Sequence, residues 1–418
     1  MHCICNDCLL RSPDSLFSNI FGINSEVDSN ELDEMNIILA GVLGRYPYGG
    51  VAWCSLMYLL GLRKLGHRVW YLEDTGECNY DPAANTKATD PRYALEFIRG
   101  ALEPHGLGEQ WCYVDYMGKH HGQSLESWRS ICRDTDLFLN LSGGCWFWRD
   151  EYAAIPFSAF IDSDPAFTQL AIAEGVMWYL EFFKHFNTLF TFGRNIGTPR
   201  CPVPVTPFQW EHTWQPVCMD QWLPSGEAPQ PCFTTVMTWK IESFESIGGN
   251  KDQEFLKILD LPSRTTVPIE LAVNGPQDFL RAHGWSCRDA FAVSSTPELY
   301  RDYIRSSYGE FSVAKHTYVS TNSGWFSDRT ECYLASGRPA VVQDTGFSEH
   351  VPTGDGLLAF RTADAAKAHL ESIRANYEHH SRAARELAQA HFSAEVVLPD
   401  LLEKATTRRQ SSSIVEAD

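Results

Sequence analysis

Residues Ser323–Leu358 read SGWFSDRTECYLASGRPAVVQDTGFSEHVPTGDGLL. A strand is predicted to end just before this stretch, near Ser320, and a short polar loop with Gly324 follows. Ser327 stands at the N-cap of a helix running to about Ser336, with Asp328, Arg329 and Glu331 near its start. Pro339–Gln343 reads as the next strand, Asp344–Glu349 as its loop, and Leu357–Phe360 as another strand. Strand, crossing helix and strand make a βαβ unit, which implies a parallel sheet with helices on its faces.

The same rhythm extends outward. Upstream, Asn36–Ala40, Val69–Leu72, Leu137–Leu141, Phe157–Ile161 and Thr188–Phe192 are apolar runs of strand length. A helix over Val51–Leu65 ends with Arg63, Lys64 and the stop Gly66. The segment Ile196–Pro231 contains eight prolines and breaks the pattern. It reads as a connection, partly packed by Trp210, Trp214 and Trp222. Strands then resume at Phe233–Thr238, Val267–Val273, Ala290–Val293 and His316–Ser320. Thr296 with Pro297 opens one helix, and helices fill Ala363–Ala405. The expected fold class is α/β, with two doubly wound Rossmann-like domains facing each other across a cleft. The division is a tail at 1–34, an N-terminal domain at 35–225, a C-terminal domain at 226–405 and a tail at 406–418. Ligands of such sheets sit at the carboxyl ends of the strands.

Composition narrows the function. The 418 residues are 44% hydrophobic and 21% charged, the balance of an ordinary globular chain. No apolar run reaches the ~20 residues needed to cross a bilayer, and no secretory pattern opens the chain, so stable membrane insertion is not expected and a cytoplasmic location is the default. Lys plus Arg is 34 and Asp plus Glu is 53, a net charge of −19. Such a chain repels nucleic acid and anionic membranes unless it carries a local basic patch; no basic run stands out beyond Arg408-Arg409 in the tail, which favours a small or neutral substrate. The 13 cysteines are odd in number and scattered, which points to reduced thiols. His2, Cys3, Cys5 and Cys8 have zinc-ligand chemistry but no second half, and a disordered leader is the plainer reading. There is no Gly-x-Ser-x-Gly elbow, Walker loop or His-Glu-x-x-His motif, and His185, His212 and His316 stand in no catalytic pattern.

The start of the Ser327 helix offers unpaired N–H groups and a partial positive charge, which suits a diphosphate. Arg329 adds a bidentate partner. Glu331, one turn beyond Ser327, has the chemistry to accept two ribose hydroxyls. Thr345 and Gly346 present backbone to the same place. Each has a plain structural reading too: Ser327 a cap, Arg329 a partner of Asp328 or Glu331, Gly346 a turn. Asp162 and Asp164, two apart after a strand, fit a general base or acceptor-hydroxyl ligand; such a pair also fits Mg²⁺ or Mn²⁺, and a plain helix-capping loop. Trp146-Phe147-Trp148 after Gly143-Gly144 fits either an acceptor wall or core.

The order of strand, Gly-containing loop, helix with early Arg and Glu, A-S-G-R-P, strand, T-G-F-S-E-H and G-D-G-L-L-A-F resembles the nucleotide-sugar site of GT-B-fold glycosyltransferases. The closest frame is the R-x-x-E-x-x-A-x-G-x-P pattern of one bacterial family, which Arg329, Ala335, Gly337 and Pro339 fit. Glu331 comes one residue early, and Cys332 holds the Glu position. The loop and helix of Gly41–Val69, with G-x-x-G, P-Y-G-G-V and L-R-K-L-G-H-R-V, look like the acceptor-domain start of the same fold. The resemblance implies a metal-independent glycosyltransferase with a nucleoside diphosphate sugar as co-substrate, a small or soluble acceptor and no further cofactor. It assigns the donor to Gly49, Gly50, Lys240, Ser323, Gly324, Ser327, Arg329, Glu331, Thr345 and Gly346. Lys251 and Lys315 are weaker choices for the diphosphate. Asp162 or Asp164 is the expected catalytic base. Ser323 occupies a position where retaining members often carry Glu, so stereochemistry stays open. The alternatives are a non-hydrolysing nucleotide-sugar epimerase and a non-catalytic nucleotide-sugar-binding member. Arg329→Ala is expected to remove donor binding and leave the fold intact.

Overall fold

The computed structural model describes residues 34–407 except 83, 85, 206, 226–230 and 241–248. The His2, Cys3, Cys5 and Cys8 cluster lies outside the described residues, as do nearly all of the two expected tails and the division placed between 225 and 226. Every cysteine among the described residues is a free thiol. No helix among them is long and apolar enough to cross a membrane.

The first half contains β1 (Asn36–Ala40), β2 (Arg68–Glu73), the hairpin of β3 (Asn79–Asp81) and β4 (Thr86–Ala88), β5 (Trp111–Val114), β6 (His120–Gly122), β7 (Leu137–Leu141), β8 (Phe157–Asp162), β9 (Thr188–Thr191) and β10 (Glu211–His212). Apart from the hairpin they form an eight-stranded sheet in the order β10-β9-β8-β7-β1-β2-β5-β6, parallel except for the edge strand β6. In register, Ile37 lies between Val69 and Leu137. The central strands are buried on both faces, as a covered parallel sheet requires.

The second half contains β11 (Phe233–Thr238), β12 (Ile269–Asn274), β13 (Ser286–Asp289), β14 (Gly309–Ser312), β15 (Ala340–Gln343) and β16 (Leu357–Phe360). They form a wholly parallel sheet in the order β13-β12-β11-β14-β15-β16. Setting aside β6, β10 and the hairpin, each sheet has the doubly wound order third, second, first, fourth, fifth, sixth. The order reverses between β1 and β7 and between β11 and β14, and ligand crevices open at such switch points.

Two predicted strands are corrected. Ala290–Ser294 is a helix, because the Asp289 carboxylate accepts from the N–H of Phe291 and caps it. The strand is the polar edge segment just before it. His316–Ser320 is also a helix. The strand there is Gly-Glu-Phe-Ser at 309–312, whose Glu310 disguises a buried central strand.

The helix Gly49–Lys64 is apolar nearly all round and buried, as expected of a helix packed on every side. It binds the two halves together. The Trp53 indole donates to Pro297 O at 2.8 Å, and Trp53 packs edge-on against Trp222 of the Pro-rich segment. The last helix, Ala394–Thr406, returns to this layer. A Cβ on Gly61 would stand 2.6 Å from Leu398, and Val217 pairs with Phe392 and Ala394 through backbone hydrogen bonds of 2.7 and 3.0 Å.

Candidate functional site

Three adjoining cavities open at the carboxyl ends of the strands. The largest, about 840 Å³, is lined by the loops after β1, β2, β7 and β8, with Thr238 and Lys315 contributed by the second sheet. The next, about 480 Å³, lies between Tyr48, Gly50, Val51 and Cys54 on one side and Thr238, Asn274, Tyr300, Asp328 and Arg329 on the other. Tyr48, Val51, Cys54 and Thr238 belong to both. A third, about 370 Å³, shares Ser142, Trp146, Ser163, Asp164 and Tyr179 with the first and reaches back to Asp162. The first two volumes fall within the range of ~300–1,000 Å³ usual for ligand pockets.

Buried carboxylates fix the loops on the first sheet. Glu73, at the end of β2, accepts from the N–H groups of Gly44 and Arg45 at 2.7 and 2.6 Å and from the Tyr71 hydroxyl. Burial nevertheless raises its carboxyl to about 7. Asp74 receives the Arg149 guanidinium through two bonds, at 2.5 and 2.9 Å, and the Tyr152 hydroxyl at 3.0 Å. Asn140 bonds Cys145 through both its amide groups. The loop after β7 is thereby pinned by Asp74 and Asn140, and Ser142 within it is held at a φ of 55°, a conformation that non-glycine residues seldom adopt.

Cations gather on the opposite wall. Arg329 is buried; it donates to Glu310 at 2.7 Å, to Val236 O at 2.8 Å and to Ser312 at 2.6 Å, and it lines the second cavity. Lys315, just past β14, lines the first and pairs with Asp164, to which the Tyr318 hydroxyl also donates. Lys251 is 8% exposed. Burial lowers its ammonium to about 7, and the neighbouring charges of Arg329 and Lys315 lower it further than burial alone would. Arg329 is paired with Glu310 and Lys315 with Asp164, so it is the buried Lys251 whose charge is disfavoured, and an incoming anion relieves that.

The two sequence-predicted carboxylates face differently. The surrounding protein would raise the Asp164 carboxyl, but Lys315 and Tyr318 outweigh this and hold it below its ordinary value. Its side chain is 47% exposed and lines the first and third cavities. Asp162 is buried, accepts from Thr168 at 3.1 Å and Gln169 at 2.8 Å, and is raised to about 7, chiefly by burial. Among the described residues no group of three or more His, Cys, Asp or Glu side chains is placed to hold a metal ion.

Other predicted residues are brought together, but around Asn195. Its N–H donates to Ser323 O at 2.9 Å and its amide to Asn322 O at 2.9 Å. A Cβ on Gly324 would meet the Asn195 backbone at 2.8 Å, and one on Gly346 would meet the Asn195 amide at 2.6 Å. Thr345 is buried and donates to Trp325 O. Ser323, Gly324 and Gly346 thus join the halves at Asn195, while Thr345 braces their loop from within the second half. Ser327 is buried at the expected N-cap position, yet its hydroxyl makes no capping bond. Glu331 is buried with both carboxyl oxygens unpartnered among the described residues, and burial, then the Asp328 charge, raises its carboxyl well above the ordinary range; Glu331 is not among the residues that line the cavities. Gly49 faces Thr296, whose carbonyl would stand 2.3 Å from a Cβ, whereas Gly50 lines the second cavity. Lys240 is exposed beyond the end of β11. Trp146 and Phe147 line the first cavity, while half-buried Trp148 stacks on exposed His185.

Sequence reading missed Arg45, Glu77, Cys54, Tyr48, Thr238, Asp328 and Tyr318, which line or brace these cavities. Their common signal is position, at or just past the carboxyl end of a strand or on a helix that follows one.

No protein-family model and no curated protein matches the chain. Solved structures do match. An alpha-glucosyltransferase in complex with UDP and a 13-mer DNA containing a central A:G mismatch aligns with a TM-score of 0.56 and 11% identity, over 90% of this chain and 100% of that one. An alpha-glucosyltransferase with UDP-glucose and DNA containing an abasic site gives 0.55 and 9%, with the same coverage. Sucrose-phosphate synthase from Thermosynechococcus elongatus gives 0.50 and 11%, over 88% and 98%. At these identities the likeness is one of fold: the chain has the GT-B architecture of two doubly wound domains facing each other across a cleft.

Proposed function

We propose that the protein is a metal-independent glycosyltransferase that moves a sugar from a nucleoside diphosphate sugar to an acceptor. The observation that carries this reading is that Lys315 lines the first cavity and Arg329 the second, where the two share Tyr48, Val51, Cys54 and Thr238, with Lys251 buried behind them within electrostatic reach of both. The donor lies in the Gly50 and Arg329 cavity, with its diphosphate toward the three cations. In the reaction an acceptor hydroxyl oxygen bonds to the anomeric carbon as the bond from that carbon to the diphosphate breaks. The leaving diphosphate gains charge, and fixed cations already aimed at it lower the barrier. They supply what a divalent ion supplies elsewhere. Lys315 exchanges Asp164 for the diphosphate. Asp164, released and facing the largest cavity, takes the acceptor proton. The UDP and UDP-glucose named with the structural neighbours make a UDP-sugar the first donor to try.

The test is release of nucleoside diphosphate from UDP-, GDP-, dTDP- and ADP-sugars in the presence of a chelator. Release from one donor class that persists without divalent metal and is lost in Lys315→Met is expected. Absence of release from every donor, with or without added acceptors, refutes the reading. Interconversion of the sugar without transfer assigns the site to an epimerase instead.

A further inference from the structure

The largest cavity has an aromatic wall built with some care. Gly143, at a φ of 81°, leaves room for the Trp146 ring, which a Cβ would approach to 2.0 Å; Gly76, at 66°, does the same for Phe147 at 1.7 Å. Trp146 packs against Trp178 with centroids 5.1 Å apart and against Tyr179 at 6.2 Å. Phe147 and Trp178 are nonetheless 52% and 49% exposed, so their faces remain open. The loop that carries Trp146 and Phe147 is pinned by Asp74 and Asn140, so little ordering is left to be done on binding.

The polar groups among these rings carry no net charge. Arg45 pairs with Glu77, and Lys315 with Asp164. Once a donor diphosphate takes Lys315, the balance becomes two carboxylates against one guanidinium. A phosphorylated acceptor or a nucleic acid backbone is then repelled, in the same direction as the chain's net charge of −19. A sugar ring fits both features. Its C–H face meets the negative face of an aromatic ring, and its edge hydroxyls donate to carboxylates and to Ser142 and Ser163. The connection through Ser142, Trp146 and Asp164 to the third cavity leaves room beyond a single ring.

We infer that the acceptor is an uncharged oligosaccharide, stacked on Trp146, Phe147, Trp178 and Tyr179. The inference rests on the transfer reading for the word acceptor, but the binding itself is independent of a donor. It separates this chain from its structural neighbours, whose names include DNA and a sugar phosphate.

The test is equilibrium binding by tryptophan fluorescence, on the full chain without donor. The probes are cellotriose, maltotriose, chitotriose, glucose 6-phosphate, a flat phenolic glycoside aglycone and a duplex 13-mer. At least one neutral trisaccharide is expected to bind below ~10 mM and to weaken about tenfold in Trp178→Ala, a substitution at a half-exposed position. UDP affinity of that variant is expected to match the parent. Tighter binding of DNA, the sugar phosphate or the phenol, no binding of any neutral trisaccharide, or equal affinity in Trp178→Ala overturns the inference. Saccharide binding by a protein that binds no nucleoside diphosphate refutes the donor reading and leaves the saccharide site standing.

Discussion

Replacing Lys251 with methionine is expected to make the protein more stable. Its ammonium falls from an ordinary 10.5 to about 7 because it is buried beside Arg329 and Lys315. That difference corresponds to about 4–5 kcal/mol of unfavourable burial at pH 7 and below. The sign follows from proton binding. Between about pH 7 and 10.5 the unfolded chain holds this proton while the folded chain has released it, so this group makes stability rise with pH there. Below about 7 both states are protonated and the penalty is at its full, constant value. Lys251→Met removes the penalty with a side chain of similar volume. In urea denaturation the variant is therefore expected to exceed the parent by several kcal/mol at about pH 6, with the difference shrinking steadily toward pH ~10. The same change is expected to weaken nucleoside diphosphate binding, which is why a destabilising cation is kept at a functional site. A variant less stable than the parent at neutral pH, or a difference that does not vary between about pH 6 and 10, refutes the reasoning.

Two further outcomes follow from the same geometry. Arg329→Ala leaves Glu310 buried without its partner at 2.7 Å, so it is expected to lose about 3–5 kcal/mol of stability, contrary to the sequence-based expectation of an intact fold. Combining Arg329→Met with Glu310→Gln restores much of that loss, and parallel chemical denaturation of the two proteins measures it. Asp164→Asn is expected to lower the transfer rate by about 10²–10⁴ while nucleoside diphosphate still binds, which steady-state kinetics beside a binding assay resolves; a variant that transfers at the parent rate removes Asp164 from the chemistry.

The sequence made the central strands legible because burial on both faces demands mostly apolar runs, as in Ile37–Ala40 and Leu137–Leu141, where Asn140 alone is polar and is satisfied by Cys145. Strands that break that rule were not legible. Ser286–Asp289 lies at a sheet edge and needs no apolar run. Glu310 sits at the centre of a sheet only because Arg329, nineteen positions on in the chain, neutralises it. The apolar run at Ala290 carried no period to separate strand from helix, and its capping Asp289 decided the matter. At the site, Arg329 and Asp164 stood out by chemical type, but their partners Glu310, Lys315 and Tyr318 come from distant positions. Lys240 attracted notice for standing directly after a strand, yet Lys315 holds the cleft position because β14, not β11 alone, borders the switch point. Ser323, Gly324, Thr345 and Gly346 carried the signal of a close backbone approach. The approach is real, but Ser323, Gly324 and Gly346 meet their own chain at Asn195, and Thr345 bonds its own Trp325.

The most direct test of the central claim is calorimetric titration of UDP into the protein at pH 7 in buffers of different ionisation enthalpy. If the diphosphate is held by Lys251, Lys315 and Arg329, binding restores the proton that Lys251 has half lost, and uptake of roughly half a proton per UDP is predicted. Uptake is expected to vanish in Lys251→Met. Binding of UDP with no proton uptake would place the diphosphate elsewhere, and no binding of UDP or of GDP, dTDP and ADP would contradict the claim outright.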